Sequence, residues 1–288
     1  MNLSKLDLSN PIIRKDITKK IAQETKLTDH HCLKHVFKEK ACSQLLLNIL
    51  LKNKKLTVES SKTEYSLKNR GYRSVRLDII AKDDKNNIYN VEVQNLTNGA
   101  SPERARYYSS SIDVHNLPPK ADFKALPTSY VIFITGDKWK KNLPLYPVER
   151  IVTNLGIPFD DRAHILYINN NYVGNDDIGK LMNDFRCTKP EKMHFSVLAD
   201  ALRRFKGDDK NMGKTLELVR KISRNEGFEE GRQYGETQGE IRGKEVGAQE
   251  STLKDIRSLM ETCNWTAQEA MKALKINFED QKKYLMLL

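Results

Sequence analysis

Apolar residues recur at helical spacing between Asp29 and Leu51, at Leu33, Val36, Phe37, Ala41, Leu45 and Ile49, and predict one or two helices there. The preceding residues 1–27 are polar and basic with weak periodicity, the pattern of an arm or a short helix. The period then changes to two. Leu56–Ser61 reads as a short strand, and Ser74–Ala81 (SVRLDIIA) and Ile88–Asn95 (IYNVEVQN) alternate and are rich in β-branched residues. The turn-forming cluster DDKNN lies between the last two, so the pair predicts a hairpin. Ser101-Pro102-Glu103 combines a helix N-cap, a proline at the first helical position and an acid in the first turn. That helix should run to about His115, where Pro118-Pro119 stops it. Ser129–Thr135 is a continuous apolar run of strand length, hence a buried strand, and His164–Asn169 is another strand. Helices are expected over Ile178–Asp184 and Phe195–Phe205.

The C-terminal part has a different period. Gly227, Gly231, Gly235, Gly239, Gly243 and Gly247 recur every fourth residue and make up six of the 14 glycines. On a helix this period advances about 40° per repeat and draws a small-residue stripe that winds slowly around the cylinder. Each glycine costs about 1 kcal/mol relative to alanine. Either another helix packs along the stripe, or the segment is a marginal helix serving as a connector or self-association arm. Charged residues between the glycines exclude the membrane use of such spacing. Ser251–Cys263 reads as helix, Thr266 with Glu269 as a capping box, and Asn277 with Asp280 as a similar start. These form a three-helix unit, for DNA binding or for packing and dimerisation.

Composition narrows the class. Hydrophobic residues are 39% and charged residues 30% of the 288, a core accompanied by a long solvated segment. The net charge of +11 points to a polyanionic partner, and residues 1–60 hold twelve Lys/Arg against six Asp/Glu. Nucleic acid fits better than a membrane surface, because no basic amphipathic helix stands out. Cys32, Cys42, Cys187 and Cys263 are scattered and form no C-x-x-C pair, the usage of reduced thiols. No signal-peptide stretch opens the chain, and the Leu45–Leu51 run is too short to span a bilayer. A soluble cytoplasmic protein with no membrane partner is expected.

The hairpin carries the candidate chemistry. With its turn centred on Lys85, Asp78 faces Glu92, at a Cβ separation of about 5 Å for such a pair. Strand alternation places Asp78, Asn90, Glu92 and Gln94 on one face and Val75, Leu77, Ile79, Val91 and Val93 on the other. Two carboxylates so close repel each other unless something compensates. Either a divalent cation such as Mg²⁺ does so, taking hard oxygen ligands, or the acids lie on a solvated face with Arg76 or a lysine neutralising them. His31 and His35 stand one helical turn apart beside Cys32, but no second pair completes the four ligands of a structural zinc site. Lys138-Trp139-Lys140-Lys141 sets an aromatic among cations, either a nucleic-acid contact or a solvated loop.

Asp78, thirteen residues, then Glu92-Val93-Gln94 resembles the PD-(D/E)XK nuclease signature in its variant with Gln for the motif lysine. LTDHHCLKHVF (27–37), VRLDIIAKDDKNNIYNVEVQ (75–94), RARYYSSSID (104–113) and SYVIFITGD (129–137) are similar, in order and spacing, to the recombination-promoting nucleases and PD-(D/E)XK-family transposases. The resemblance spans about residues 26–250. It implies an α/β fold, a restriction-endonuclease-like αβββαβ core with a mixed central sheet, followed by a helical C-terminal arm. The implied organisation is a basic N-terminal segment (1–25), a nuclease-like core (26–185), a helical extension (186–225), the glycine-period arm (226–250) and a small helical unit (251–288). The implied activity is that of a Mg²⁺- or Mn²⁺-dependent DNA endonuclease linked to recombination or transposition. The alternative is a catalytically degenerate DNA-binding or self-associating protein of the same origin. By resemblance Asp78 and Glu92 bind the metal with the Val93 carbonyl, and Gln94 orients the attacking water. Arg106, Arg76, Lys138 and Lys140 are candidate DNA contacts. Relatives carry an acid where this chain has His30, which leaves Asp29 or His30 as the accessory residue. One site per chain is compatible with a homodimer.

Overall fold

The computed structural model describes residues 10–68, 71–94 and 99–288; within 222–246, side chains are described only at residues 232, 236, 237, 243 and 244. The described chain falls into two compact units, residues 10–218 and residues 219–288.

The larger unit opens with helices α1 (Pro11–Glu24), α2 (His30–Val36) and α3 (Lys40–Leu50). The Asn10 side chain caps α1 by accepting from Ile12 N and Ile13 N ahead of Pro11. Strands β1 (Val58–Leu67), β2 (Val75–Asp83) and β3 (Ile88–Val93) follow as an antiparallel meander. Helix α4 (Pro102–Asn116) crosses over to β4 (Ser129–Thr135), which runs parallel to β3. Beyond β4 come β5 (Leu145–Val148), a two-stranded ribbon of β6 (Ile151–Val152) and β7 (Ile157–Pro158), and then β8 (Ala163–Asn169). The six-stranded sheet has the order β1-β2-β3-β4-β8-β5 and is mixed, as expected. Helices α5 (Asp177–Arg186) and α6 (Ser196–Gly207) complete the layer that covers one face together with α2 and α3.

Burial on both faces explains why β4 reads as an unbroken apolar run. Ile132 and Ile134 join the cluster under α2, α3, α5 and α6, whereas Val131 and Phe133 join Ala105, Tyr108 and Ile112 of α4 on the other face. Strand β1 extends well past the expected Ser61 because its polar side chains are satisfied by a helix. The Thr63 and Ser61 hydroxyls donate to the carbonyls of Lys34 (2.9 Å) and Phe37 (2.8 Å). Hydrophobic periodicity is blind to such contacts.

The hairpin register follows the Lys85-centred turn, with Ile79 opposite Val91 and Ile80 opposite Asn90. The faces need correction. Val75 and Leu77 pack in the α4 layer, whereas Ile79 and Val91 pack in the opposite one. Alternation is therefore broken at Asp78. Its neighbour on β1, Glu64, has φ 51°, a left-handed conformation unusual for a residue with a Cβ. The two strands trade layers at this point.

Helix α7 (Asp209–Cys263) is continuous through the glycine period and the segment expected as a separate helix at Ser251–Cys263. A Cβ added at Gly243 or Gly247 would meet nothing described within 4 Å. The stripe's other four glycines lie outside the described side chains. Helices α8 (Ala267–Ala273) and α9 (Phe278–Leu285) close the smaller unit, where Ile256, Ala270 and Met271 are buried together. The Thr266–Glu269 capping box is formed. No described helix is long and apolar enough to cross a membrane.

Candidate active site

Asp78 and Glu92 meet where the β2–β3 ladder gives way to side-chain bonding. The Asp78 N–H donates to Glu92 Oε1 at 3.1 Å, and the Val93 N–H donates to Asp78 Oδ2 at 3.1 Å. Each carboxylate is thus held by the backbone of the other's strand. Glu92 faces the α4 layer and is fully buried. The Asn90 amide, oriented by its surroundings, donates to Glu92 Oε1 (3.1 Å) and to the Ile79 carbonyl (3.2 Å).

Arg104 comes in over the pair from the first turn of α4. Its Nη2 donates to Glu92 Oε2 at 3.0 Å, and its Nη1 donates to Gln94 Oε1 at 3.3 Å and to the Gly99 carbonyl at 2.8 Å. The guanidinium lies over the rings of Tyr108 (4.9 Å) and Phe133 (5.9 Å), which fix its plane. Ser101 caps this helix by accepting from Arg104 N, so the turn that delivers Arg104 is itself anchored.

The electrostatics are those of a compressed pair of acids. Burial, and after it the Asp78 charge, pushes Glu92 up to about 8, against the Asp78 N–H, Arg104 and Asn90. Burial also raises Asp78, against the Val93 N–H and the charges of His30, Arg104 and Arg76. Beside them Glu64 gathers basic side chains: Lys34 Nζ at 3.0 Å, His30 Nε2 at 3.7 Å and Arg76 Nη1 at 4.0 Å. Burial opposes its ionisation, but the Lys34 bond and the charges of Lys34, His30 and Arg76 hold its carboxyl below the ordinary value.

The fold therefore brings Asp78, Glu92, Gln94 and Val93 together, with His30 and Arg76 at the margin through Glu64. It does not bring Asp29, whose Oδ2 accepts from Lys26 N at 2.9 Å. The arginine on the acids is Arg104; Arg106 is exposed on the outer side of α4. The pattern held a signal for this. Arg104, Tyr108 and Ile112 form one stripe at four-residue spacing whose two apolar members are buried. Lys138 Nζ donates to the Ala100 carbonyl (2.8 Å) and lies 5.3 Å from the Tyr167 ring, beside the start of α4. Lys140 is exposed in the following loop.

A mixed sheet with paired acids on its second and third strands and a crossover helix laid over them is the arrangement of a PD-(D/E)XK nuclease core. The model of the PD-(D/E)XK nuclease family transposases matches residues 19–195, more than half the chain, and the chain belongs to that family. No curated protein and no solved structure matches it.

The donors suit a hard divalent cation. Asp78 and Glu92 offer carboxylate oxygens whose mutual repulsion Arg104 offsets only in part, and Mg²⁺ is bound through one or two carboxylates plus water and phosphate. Among the described residues no group of three or more His, Cys, Asp or Glu is placed to hold a metal.

Proposed function

We propose that this chain is a divalent-metal-dependent DNA endonuclease that acts in recombination or transposition. The observation that carries the reading is the reciprocal bracing of Asp78 and Glu92, each carboxylate accepting from the other's strand with Arg104 closing the far side. Asp78, Glu92 and the Val93 carbonyl would hold Mg²⁺ or Mn²⁺. When bound, such an ion supplies Lewis acidity toward a phosphodiester oxygen and acidifies a water. The chain's own residues do the rest. Gln94 is neutral and can orient a water but neither deprotonate it nor stabilise charge. Arg104, bridging Gln94 and Glu92, supplies the cation that lysine gives elsewhere, aimed at charge that develops on the phosphate. Arg76, Lys138, Lys140 and Arg106 would bind flanking phosphates, with residues 26–185 as the catalytic core. One site cuts one strand, so a double-strand product calls for two chains.

Purified protein with Mg²⁺ or Mn²⁺ should nick supercoiled plasmid, and Asp78→Ala should abolish nicking while the far-UV spectrum and melting temperature persist. Equal cleavage by the variant rules the site out. One observation favours a second reading, a degenerate DNA-binding protein: both Glu92 oxygens already accept hydrogen bonds, one of them from Arg104. On that reading DNA binding falls with salt, is indifferent to Asp78→Ala, and is accompanied by no nicking.

A further inference from the structure

Beyond the acids, the described ends of the β1–β2 connection lie beside α4. Residues 67–76 include Lys68, Arg73 and Arg76 and contain no acid. The Tyr72 ring is 82% exposed, and α4 turns Tyr107 (36%) and Val114 (72%) toward solvent. Between them lies a cleft of about 440 Å³ whose lining includes Lys68, Tyr72, Tyr107, Ser110, Val114 and His115. Its walls are tied together. The Tyr107 hydroxyl donates to the Arg73 carbonyl at 2.5 Å, and His115 Nε2 lies 3.3 Å from the Lys68 carbonyl.

Three exposed apolar side chains converging on one cleft mark an interaction surface, where single ones scattered over the protein would not. The cations select a polyanion. Phosphates alone would need no rings, and an apolar peptide would need no lysine in the cleft wall. A nucleic acid strand with an unstacked base uses both, its phosphates on the cations and the base against a tyrosine. From Tyr72 to Asp78 the chain reaches at most about 20 Å, the rise of about six base pairs. DNA held at Asp78 and Glu92 therefore lies within reach of the cleft.

Resting on the nuclease reading above, we propose that this cleft holds an unpaired base of the DNA strand that passes Asp78 and Glu92. The base stacks on Tyr72 and Tyr107, with a flanking phosphate on Lys68 at the cleft wall. The substrate class is then DNA with single-stranded character rather than intact duplex.

The test is fluorescence anisotropy with the full chain in EDTA, on a labelled duplex and on the same duplex carrying a single-stranded overhang. The wild type should bind the overhang probe about 5- to 150-fold more tightly, the span that one base–aromatic stack supports. Tyr72→Ala should erase the preference and leave duplex affinity within about twofold, and Tyr72→Trp should keep it. Lys68→Ala should weaken both probes alike and reduce the salt slope. Because the Tyr72 ring is exposed, the melting temperature should not move in either Tyr72 variant. Equal affinity of the wild type for the two probes, a preference that survives Tyr72→Ala, or no DNA binding overturns the proposal. Since no divalent ion is present, a failure to nick plasmid sinks the nuclease reading alone, and loss of the probe preference sinks only this one.

Discussion

Replacing Glu92 by Gln keeps the side chain's shape and removes the most strongly buried charge at the site. The carboxyl titrates near its ordinary 4.5 in the unfolded chain and is pushed up to about 8 in the fold. The folded state therefore holds the extra proton, and stability falls as pH rises from the lower value to the higher. Keeping this proton while the unfolded chain releases it costs the metal-free protein about 3 kcal/mol at pH 7, rising to about 5 kcal/mol well above pH 8, where the acid ionises in place. Glutamine escapes this but exchanges the protonated carboxyl's hydrogen bond with Arg104, whose side chain is 31% exposed, for a less well fitted amide contact; that loss is about 1–2 kcal/mol. The variant should then be more stable than the wild type by about 1–2 kcal/mol at pH 7, and the difference should vanish near pH 5. Denaturant unfolding in EDTA at pH 5, 7 and 8.5, followed by circular dichroism, reads the difference for the coupled Asp78–Glu92 pair, because titrations away from that pair cancel between the two proteins. Adding Mg²⁺ should raise wild-type stability by mass action and leave the variant nearly unmoved. Parallel pH profiles in EDTA would refute the reasoning, since Glu92 would then ionise in the fold as easily as in water.

Two further outcomes follow from contacts at and beyond the site. A Cβ at Gly99 would come within 2.6 Å of Gln94 Oε1, so Gly99→Ala should push the Gln94 amide off Arg104. Plasmid nicking should fall by about tenfold while stability changes by under about 1 kcal/mol; unchanged nicking would mean that Gln94 has no part in the reaction. Asp184 is fully buried and accepts from the N–H groups of His194 and Phe195 as well as facing His194 Nδ1 at 3.0 Å. Asp184→Ala should therefore cost about 2–4 kcal/mol by stranding the start of α6, measured as a lowered denaturation midpoint at unchanged slope.

The elements most legible in the chain were those whose signals are local. The Ser101-Pro102 start, the Thr266–Glu269 box, the apolar β4 and the hairpin register all follow from contacts within a few residues or from strict alternation. Strand β1 was half hidden because its hydroxyls are satisfied by α2, a partner far away in sequence. Asp78 and Glu92 were visible as an opposed pair, but their burial was not, since it depends on α4 folding back over β3. The role of Arg104 was hidden for the same reason. Which side of a weakly amphipathic helix faces the sheet is decided by Tyr108, Ile112 and Phe133 together, and only the fold assembles them.

The exchange of layers at Glu64 and Asp78 has a mechanical meaning. Val75 and Leu77 are rooted under α4, and Ile79 and Ala81 are rooted under α2 and α3, so the residue between them is a pivot joining two cores. Were one helical layer to slide against the other, the displacement would be taken up at Asp78 and would move its carboxylate relative to Glu92. Substitutions deep in either layer can thus detune the acids before the protein loses stability. A single inserted or deleted residue beside Asp78 would detach one layer's anchor altogether.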